Sequence, residues 1–118
     1  MKIYHIPLTI LLSCIFCETH DVSIANFSFT PSTLEISTGD TVRWTNNATN
    51  NHTSLSTSDP VVWNSGTISA GNTFEFQFDD TGEFPYRCGF HSSMTGSITV
   101  QSDLGNSNPN IPEEILAK

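Results

Sequence analysis

The amino-acid sequence predicts an all-β protein folded as an antiparallel sandwich or barrel. From Val22 onward, apolar residues recur at every second position, which is typical of strands that bury one face. Groups of Pro, Gly, Asn and Asp separate these segments at intervals of roughly 8–12 residues, as short connected strands require. No segment shows the apolar stripe of an amphipathic helix.

Four segments show the alternation most clearly. In chain order they are TLEIS (33–37), TVRWT (41–45), NTFEFQF (72–78) and GSITV (96–100). Phenylalanines occupy every second position of the third segment, so it predicts a strand with an aromatic buried face. The polar segment 46–60 predicts a loop, with His52 near its middle.

Length and charge limit the function. A chain of 118 residues suits a single domain. Its formal net charge of -8 comes from 12 acidic against 4 basic residues, and the basic residues are scattered. Nucleic acid is therefore excluded as a partner, because phosphate binding needs a basic patch.

The N-terminal segment predicts export. Its apolar run from Ile6 to Cys17 is shorter than the ~17–25 residues that span a bilayer, so residues 1–20 are predicted to be a signal for the periplasm or the extracellular space. As an alternative, LLSC resembles a bacterial lipobox, in which Cys14 would carry a membrane-tethering lipid. Cys88 is then the one cysteine of the exported domain, and we expect it to be buried, bonded to another molecule, or bound to a metal.

Three potential metal ligands follow one another at three-residue intervals, namely Cys88, His91 and Met94. A compact loop with this spacing can turn all three side chains toward one point. Thiolate and thioether are soft ligands and imidazole is borderline; two His and one Cys with a weak axial Met are typical of electron-transferring copper. Structural zinc prefers four Cys or His ligands, and iron–sulfur clusters need more cysteines.

The loop lacks a second imidazole, and His52 is the best candidate to supply it. His5 falls in the predicted signal, and His20 is expected to precede the first strand and to fray. This hypothesis requires the fold to bring His52 and Cys88 together.

Two segments, DTVRWTNNATNNHTSLSTSD and SGTISAGNTFEFQFDDTGEFPYRCGFHSSMTGSITV, resemble the cupredoxins, the small blue-copper proteins, in their plastocyanin and amicyanin branch. The resemblance spans roughly Val22 to Val100. It implies a Greek-key β-sandwich over residues 21–101 that binds one copper ion near one end. It also implies the ligand set, with three strong ligands and a weak axial one: His52, Cys88, His91 and axial Met94.

The sequence departs from the cupredoxin pattern beside the first histidine. The family often has Pro before this ligand and Asn after it, whereas this chain has Asn51 and Thr53. Thr53 offers a hydroxyl or a backbone donor in place of the Asn. The hydrogen bonding that tunes the site therefore stays open at the level of sequence.

The resemblance implies a one-electron carrier in the exported space, whose copper cycles between Cu(I) and Cu(II) and which meets redox proteins transiently as a monomer. Phe90, inside the ligand loop, is expected to form an apolar rim around His91.

A copper carrier or reservoir without redox turnover is the alternative function, and a copper-free adhesion module is a third. We expect neither catalysis nor a small-molecule substrate, because a copper enzyme needs an open position at its metal. Residues 102–118 predict a polar tail to which we assign no function.

Overall fold

A computed structural model describes residues 17–102 of the chain. Most of the predicted export segment, with Cys14, and almost all of the predicted tail, residues 103–118, lie outside the described residues. Within residues 17–102, no helix is long and apolar enough to cross a membrane.

The described chain forms eight strands in two four-stranded sheets. The first sheet has the order β2-β1-β4-β6 and the second has the order β3-β8-β7-β5. The strands are β1 (Thr19–Ala25), β2 (Ser28–Thr30), β3 (Thr33–Ser37), β4 (Thr41–Asn46), β5 (Leu55–Ser56), β6 (Thr73–Gln77), β7 (Gly82–Arg87) and β8 (Thr95–Gln101). The predicted all-β sandwich is confirmed.

The strand directions differ from the purely antiparallel arrangement that the sequence predicted. β1 pairs with β4 in parallel, and β3 pairs with β8 in parallel, so both sheets are mixed. The chain passes from the first sheet to the second between β2 and β3 and returns at β4, which places β4 beside β1 in the same direction. Alternation of apolar residues specifies which face of a strand is buried and carries no information about strand direction.

Aromatic rings fill the space between the sheets. Trp44 of β4 is fully buried, stacks on Trp63 at a centroid distance of 5.6 Å and meets Tyr86 of β7 edge-on at 5.5 Å. Gly96 of β8 pairs with Tyr86, and the Tyr86 ring covers it so closely that a Cβ atom would overlap the ring. Tyr86 lies two residues before Cys88, and both belong to one buried core, so this close packing extends to the candidate site.

His20 lies within β1 and does not fray, contrary to the sequence expectation. Its Nε2 atom is 2.9 Å from Asp40 Oδ2, which also accepts a hydrogen bond from the Ser37 N–H, while Asp40 Oδ1 accepts one from the Glu18 N–H. Burial raises the pKa of Asp40, but these hydrogen bonds outweigh it and hold that pKa below its ordinary value of 3.8. His20 thus belongs to β1, which begins at Thr19.

Candidate metal centre

The predicted ligands come from two separate segments at one end of the sandwich. Cys88 directly follows β7, and His91 and Met94 lie in the loop that leads to β8. His52 lies in the connection between β4 and β5. The sandwich therefore brings together residues that are distant in the chain, as the sequence hypothesis required.

Main-chain hydrogen bonds fix the segment that carries His52. Its N–H donates to the carbonyl of Ile68 at 3.2 Å, and the Ile68 N–H donates back at 2.7 Å. The buried amide of Asn46 donates to the carbonyls of both Asn50 and Ile68 at 2.8 Å. These bonds hold a polar loop, which would otherwise be mobile, in one conformation, and they bury the His52 side chain completely.

The ligand loop closes on itself through its own backbone. The Cys88 N–H donates to the Met94 carbonyl at 2.9 Å, and the Met94 N–H donates to the His91 carbonyl at 3.0 Å. Cys88 and Met94 are buried, while His91 is half-buried. The three-residue spacing thus produces a compact turn in which one potential ligand, His91, reaches the surface.

Three donor atoms converge on one point. Cys88 Sγ lies 3.7 Å from His52 Nδ1 and 3.7 Å from His91 Nδ1, and the ligand atoms of the three residues all lie within 4.8 Å of one another. Metal bonds of about 2.0 Å to nitrogen and about 2.3 Å to sulfur, at trigonal angles, would separate such donors by about 3.7 Å. One thiolate and two imidazoles at this spacing fit a single copper ion.

The protonation state of His52 suits metal binding as well. Burial and the nearby His91 lower the pKa of His52 below its ordinary value of 6.5, which keeps this imidazole neutral and able to bind a metal at neutral pH. Cys88 is a free thiol.

Thr53 joins the two ligand segments. Its backbone N–H points to Cys88 Sγ at 3.4 Å, and its hydroxyl accepts a short hydrogen bond from the Gly89 N–H. A Cβ atom on Gly89 would approach the Thr53 hydroxyl to 3.0 Å, so Gly89 leaves the space in which this hydroxyl lies. The sequence offered a hydroxyl or a backbone donor at this position, and both are used: the backbone N–H of Thr53 donates, and its hydroxyl accepts.

Two exposed phenylalanines flank the surface side of His91. Phe90 precedes it in the loop and is 56% exposed. Phe27, from the turn between β1 and β2, is 61% exposed, and its ring meets the His91 ring edge-on at a centroid distance of 5.0 Å. The sequence analysis missed Phe27, because the contact joins distant parts of the chain and nothing in the local sequence indicates it.

The comparisons with known proteins agree with this geometry. The sequence pattern of copper binding proteins of the plastocyanin/azurin family matches residues 17–101. A chloroplastic plastocyanin from Tetradesmus obliquus is 34% identical over 84 residues, and the match covers 62% of this chain and 58% of that protein. A plastocyanin from Scenedesmus fuscus shows the same identity over 62% of this chain and 86% of its own length. The chain thus spans less than two thirds of the first of these relatives.

Solved structures share the fold. A purple cupredoxin from Nitrosopumilus maritimus superposes with a TM-score of 0.65 and 31% identity, over 70% of this chain and 99% of that one. A reduced Cu(I) form of a mutant amicyanin superposes with a TM-score of 0.66 and 22% identity, over 70% of this chain and 82% of the other.

Proposed function

Because the chain belongs to the plastocyanin/azurin family of copper-binding proteins, we propose that it is a type 1 copper protein that carries single electrons. His52, Cys88 and His91 would be the strong ligands and Met94 the weak axial one. The observation that carries this proposal is the 3.7 Å spacing of both Nδ1 atoms from the Cys88 sulfur. Bound copper would supply a one-electron couple between Cu(I) and Cu(II).

The protein contributes a rigid and largely dry set of ligands. Cys88, Met94 and His52 are buried, and hydrogen bonds fix the backbone on both sides of the site. Side chains held in this way change little when the charge of the centre changes, so little reorganisation opposes electron transfer. The N–H of Thr53 directed at the Cys88 sulfur stabilises negative charge on that atom.

Electrons would enter and leave through His91, the candidate ligand that reaches the surface. Its apolar neighbours Phe27 and Phe90 form an exposed patch suited to brief contacts with redox proteins, which use small interfaces. We propose no enzymatic activity and no small-molecule substrate, since His52, Cys88, His91 and Met94 would together occupy the coordination positions of a single copper ion.

The sequence also supports a proposal for the cellular setting of this function. We propose that residues 1–20 direct export to the periplasm or extracellular space, that residues 21–101 act there as a monomeric copper domain, and that residues 102–118 form a polar tail. A lipid on Cys14 would tether the same domain to a membrane. Incorporation of labelled palmitate into the wild-type chain and into Cys14→Ser separates a tethered product from a freely exported one.

A copper titration tests the proposed ligands. Cu(II) added to the purified chain should bind at one equivalent per chain. The bound copper should give an intense visible absorption and the paramagnetic resonance spectrum of a copper thiolate. Cys88→Ser should abolish the absorption while the domain still folds, because a hydroxyl cannot replace the soft thiolate. A colourless wild-type protein, or a blue Cys88→Ser variant, contradicts the proposal.

Copper exchange then separates electron transfer from copper delivery. An electron carrier should be reduced and reoxidised repeatedly by a small redox mediator while it retains its copper in the presence of a chelator. Rapid loss of copper to that chelator would favour the alternative function of a carrier or reservoir.

A further inference from the structure

Phe27 has a backbone conformation that bulky residues rarely adopt. It is the second residue of the two-residue turn between β1 and β2, where Ala25 pairs with Ser28, and its φ is 73°. Within residues 17–102 it is the one residue other than glycine with a positive φ. Turns that need a positive φ at this position usually have Gly or Asn there. The local backbone therefore disfavours phenylalanine.

Burial does not account for Phe27 either. Its ring is 61% exposed, whereas Phe29, two residues later, is 3% exposed and packs in the core. An aromatic side chain that is strained and mostly in water gains little from the hydrophobic effect. Besides the contact with redox proteins proposed above, a specific contact of the ring within this chain gives a reason for its presence.

That contact is with His91. The two ring centroids are 5.0 Å apart with an interplanar angle of 88°, an edge-to-face arrangement that aromatic pairs prefer. Of the three clustered ligands, His91 is the one that is not fully buried, so the core restrains it least. Phe27 thus restrains the ligand that most needs a partner.

We propose that Phe27 is a positioning residue for His91. Its ring holds the imidazole in the orientation in which Nδ1 faces Cys88 Sγ, and the protein tolerates an unfavourable turn residue for this purpose. The effect on copper rests on the function proposed above. The effect on the orientation of His91 is a property of the metal-free protein and can be measured separately.

The expected sizes follow from simple populations. A side chain without the Phe27 contact can occupy three staggered χ1 rotamers; equal sampling would leave about one third of the molecules competent and weaken the apparent copper affinity about threefold. Asparagine tolerates the left-handed conformation and alanine does not. The ratio of folded to unfolded protein should therefore be about fivefold higher with asparagine at position 27 than with alanine.

Three substitutions separate the ring from the turn strain. Phe27→Tyr keeps both, Phe27→Ala loses the ring and keeps the strain, and Phe27→Asn loses both. Nuclear Overhauser contacts and χ1 couplings of His91 in the metal-free full chain should show one rotamer in the wild type and Phe27→Tyr, and averaging in the other two. Denaturant unfolding should show Phe27→Asn more stable than Phe27→Ala by the fivefold ratio given above.

Copper affinity, measured by competition with a chelator, should fall about threefold in Phe27→Asn and Phe27→Ala and stay unchanged in Phe27→Tyr. A fixed His91 rotamer in Phe27→Asn would overturn the positioning role, and equal stability of Phe27→Asn and Phe27→Ala would overturn the strain argument. If neither the wild type nor any variant binds copper, but His91 still loses its fixed rotamer in Phe27→Asn and Phe27→Ala, the proposed function fails and the positioning role of Phe27 stands.

Discussion

Replacing Thr53 with valine tests how the two ligand segments are held together. Valine has nearly the shape of threonine, so the packing of this buried residue, 8% exposed, is kept. The backbone N–H that points to Cys88 Sγ is also kept. The substitution removes the hydroxyl that accepts the hydrogen bond from Gly89.

The size of the effect follows from the donor that loses its acceptor. A partly buried N–H left without a partner costs about 1–3 kcal/mol of folding free energy. Thr53→Ser keeps the acceptor and loses one buried methyl group, which costs about 0.8 kcal/mol. Against a total stability of about 5–15 kcal/mol, the valine variant should unfold at clearly lower denaturant concentration than the serine variant.

The assay is equilibrium denaturation of the metal-free chain, combined with the visible spectrum and reduction potential of the copper-loaded chain. Valine should destabilise the protein and shift both copper properties, and serine should restore the spectrum and potential. A valine variant as stable as the wild type, or a serine variant less stable than valine, would refute the idea that this hydroxyl joins the two segments.

Gly89→Ala provides the matching control on the other side of the contact. The new Cβ atom would lie 3.0 Å from the Thr53 hydroxyl and displace it, so the alanine should destabilise the wild type. In a Thr53→Ala background the obstructing hydroxyl is absent, and the same substitution should cost less. The expected coupling free energy is about 0.5–3 kcal/mol, and purely additive effects would show that the two residues act independently.

Two further predictions concern the proposed axial ligand and acid stability. Met94→Leu should retain copper and shift the reduction potential, because an axial thioether binds weakly and tunes strongly; complete loss of copper, seen in a metal titration, would give Met94 a larger role. The pKa of Asp40 is lowered in the folded state, so its carboxylate stabilises the fold at pH values above its ordinary pKa of 3.8. This stabilisation is lost as the pH falls below that value. Between pH 5 and 3 the unfolding midpoint should fall further in the wild type than in Asp40→Asn, and parallel curves would contradict this.

Much of the fold and the proposed ligand loop could be predicted from the sequence, because each depends on a local pattern. Alternation identified β3, β4, β6 and β8, and the spacing of Cys88, His91 and Met94 identified the ligand loop. The approach of His52 to Cys88 was predicted from the lack of another suitable histidine and from the family resemblance, but the other contacts between distant segments could not be predicted. The bond from His20 to Asp40, the position of Phe27 against His91 and the parallel strand pairs all arise from the way the two sheets meet.

The bonds that hold the candidate site explain how its neighbouring residues can differ from the family pattern. His52, Cys88 and Met94 are each fixed by backbone N–H and carbonyl groups, which any residue except proline provides in full. Substitution beside a ligand therefore leaves these bonds in place, as the residues Asn51 and Thr53 illustrate. Such substitutions change the side-chain contact between the two segments. Here the Thr53 hydroxyl accepts a hydrogen bond from the Gly89 N–H, and Gly89 has no Cβ atom to obstruct it. Ligand position and ligand tuning are thus controlled by different atoms, so the Thr53 variants should alter the potential of the site without dispersing its donors.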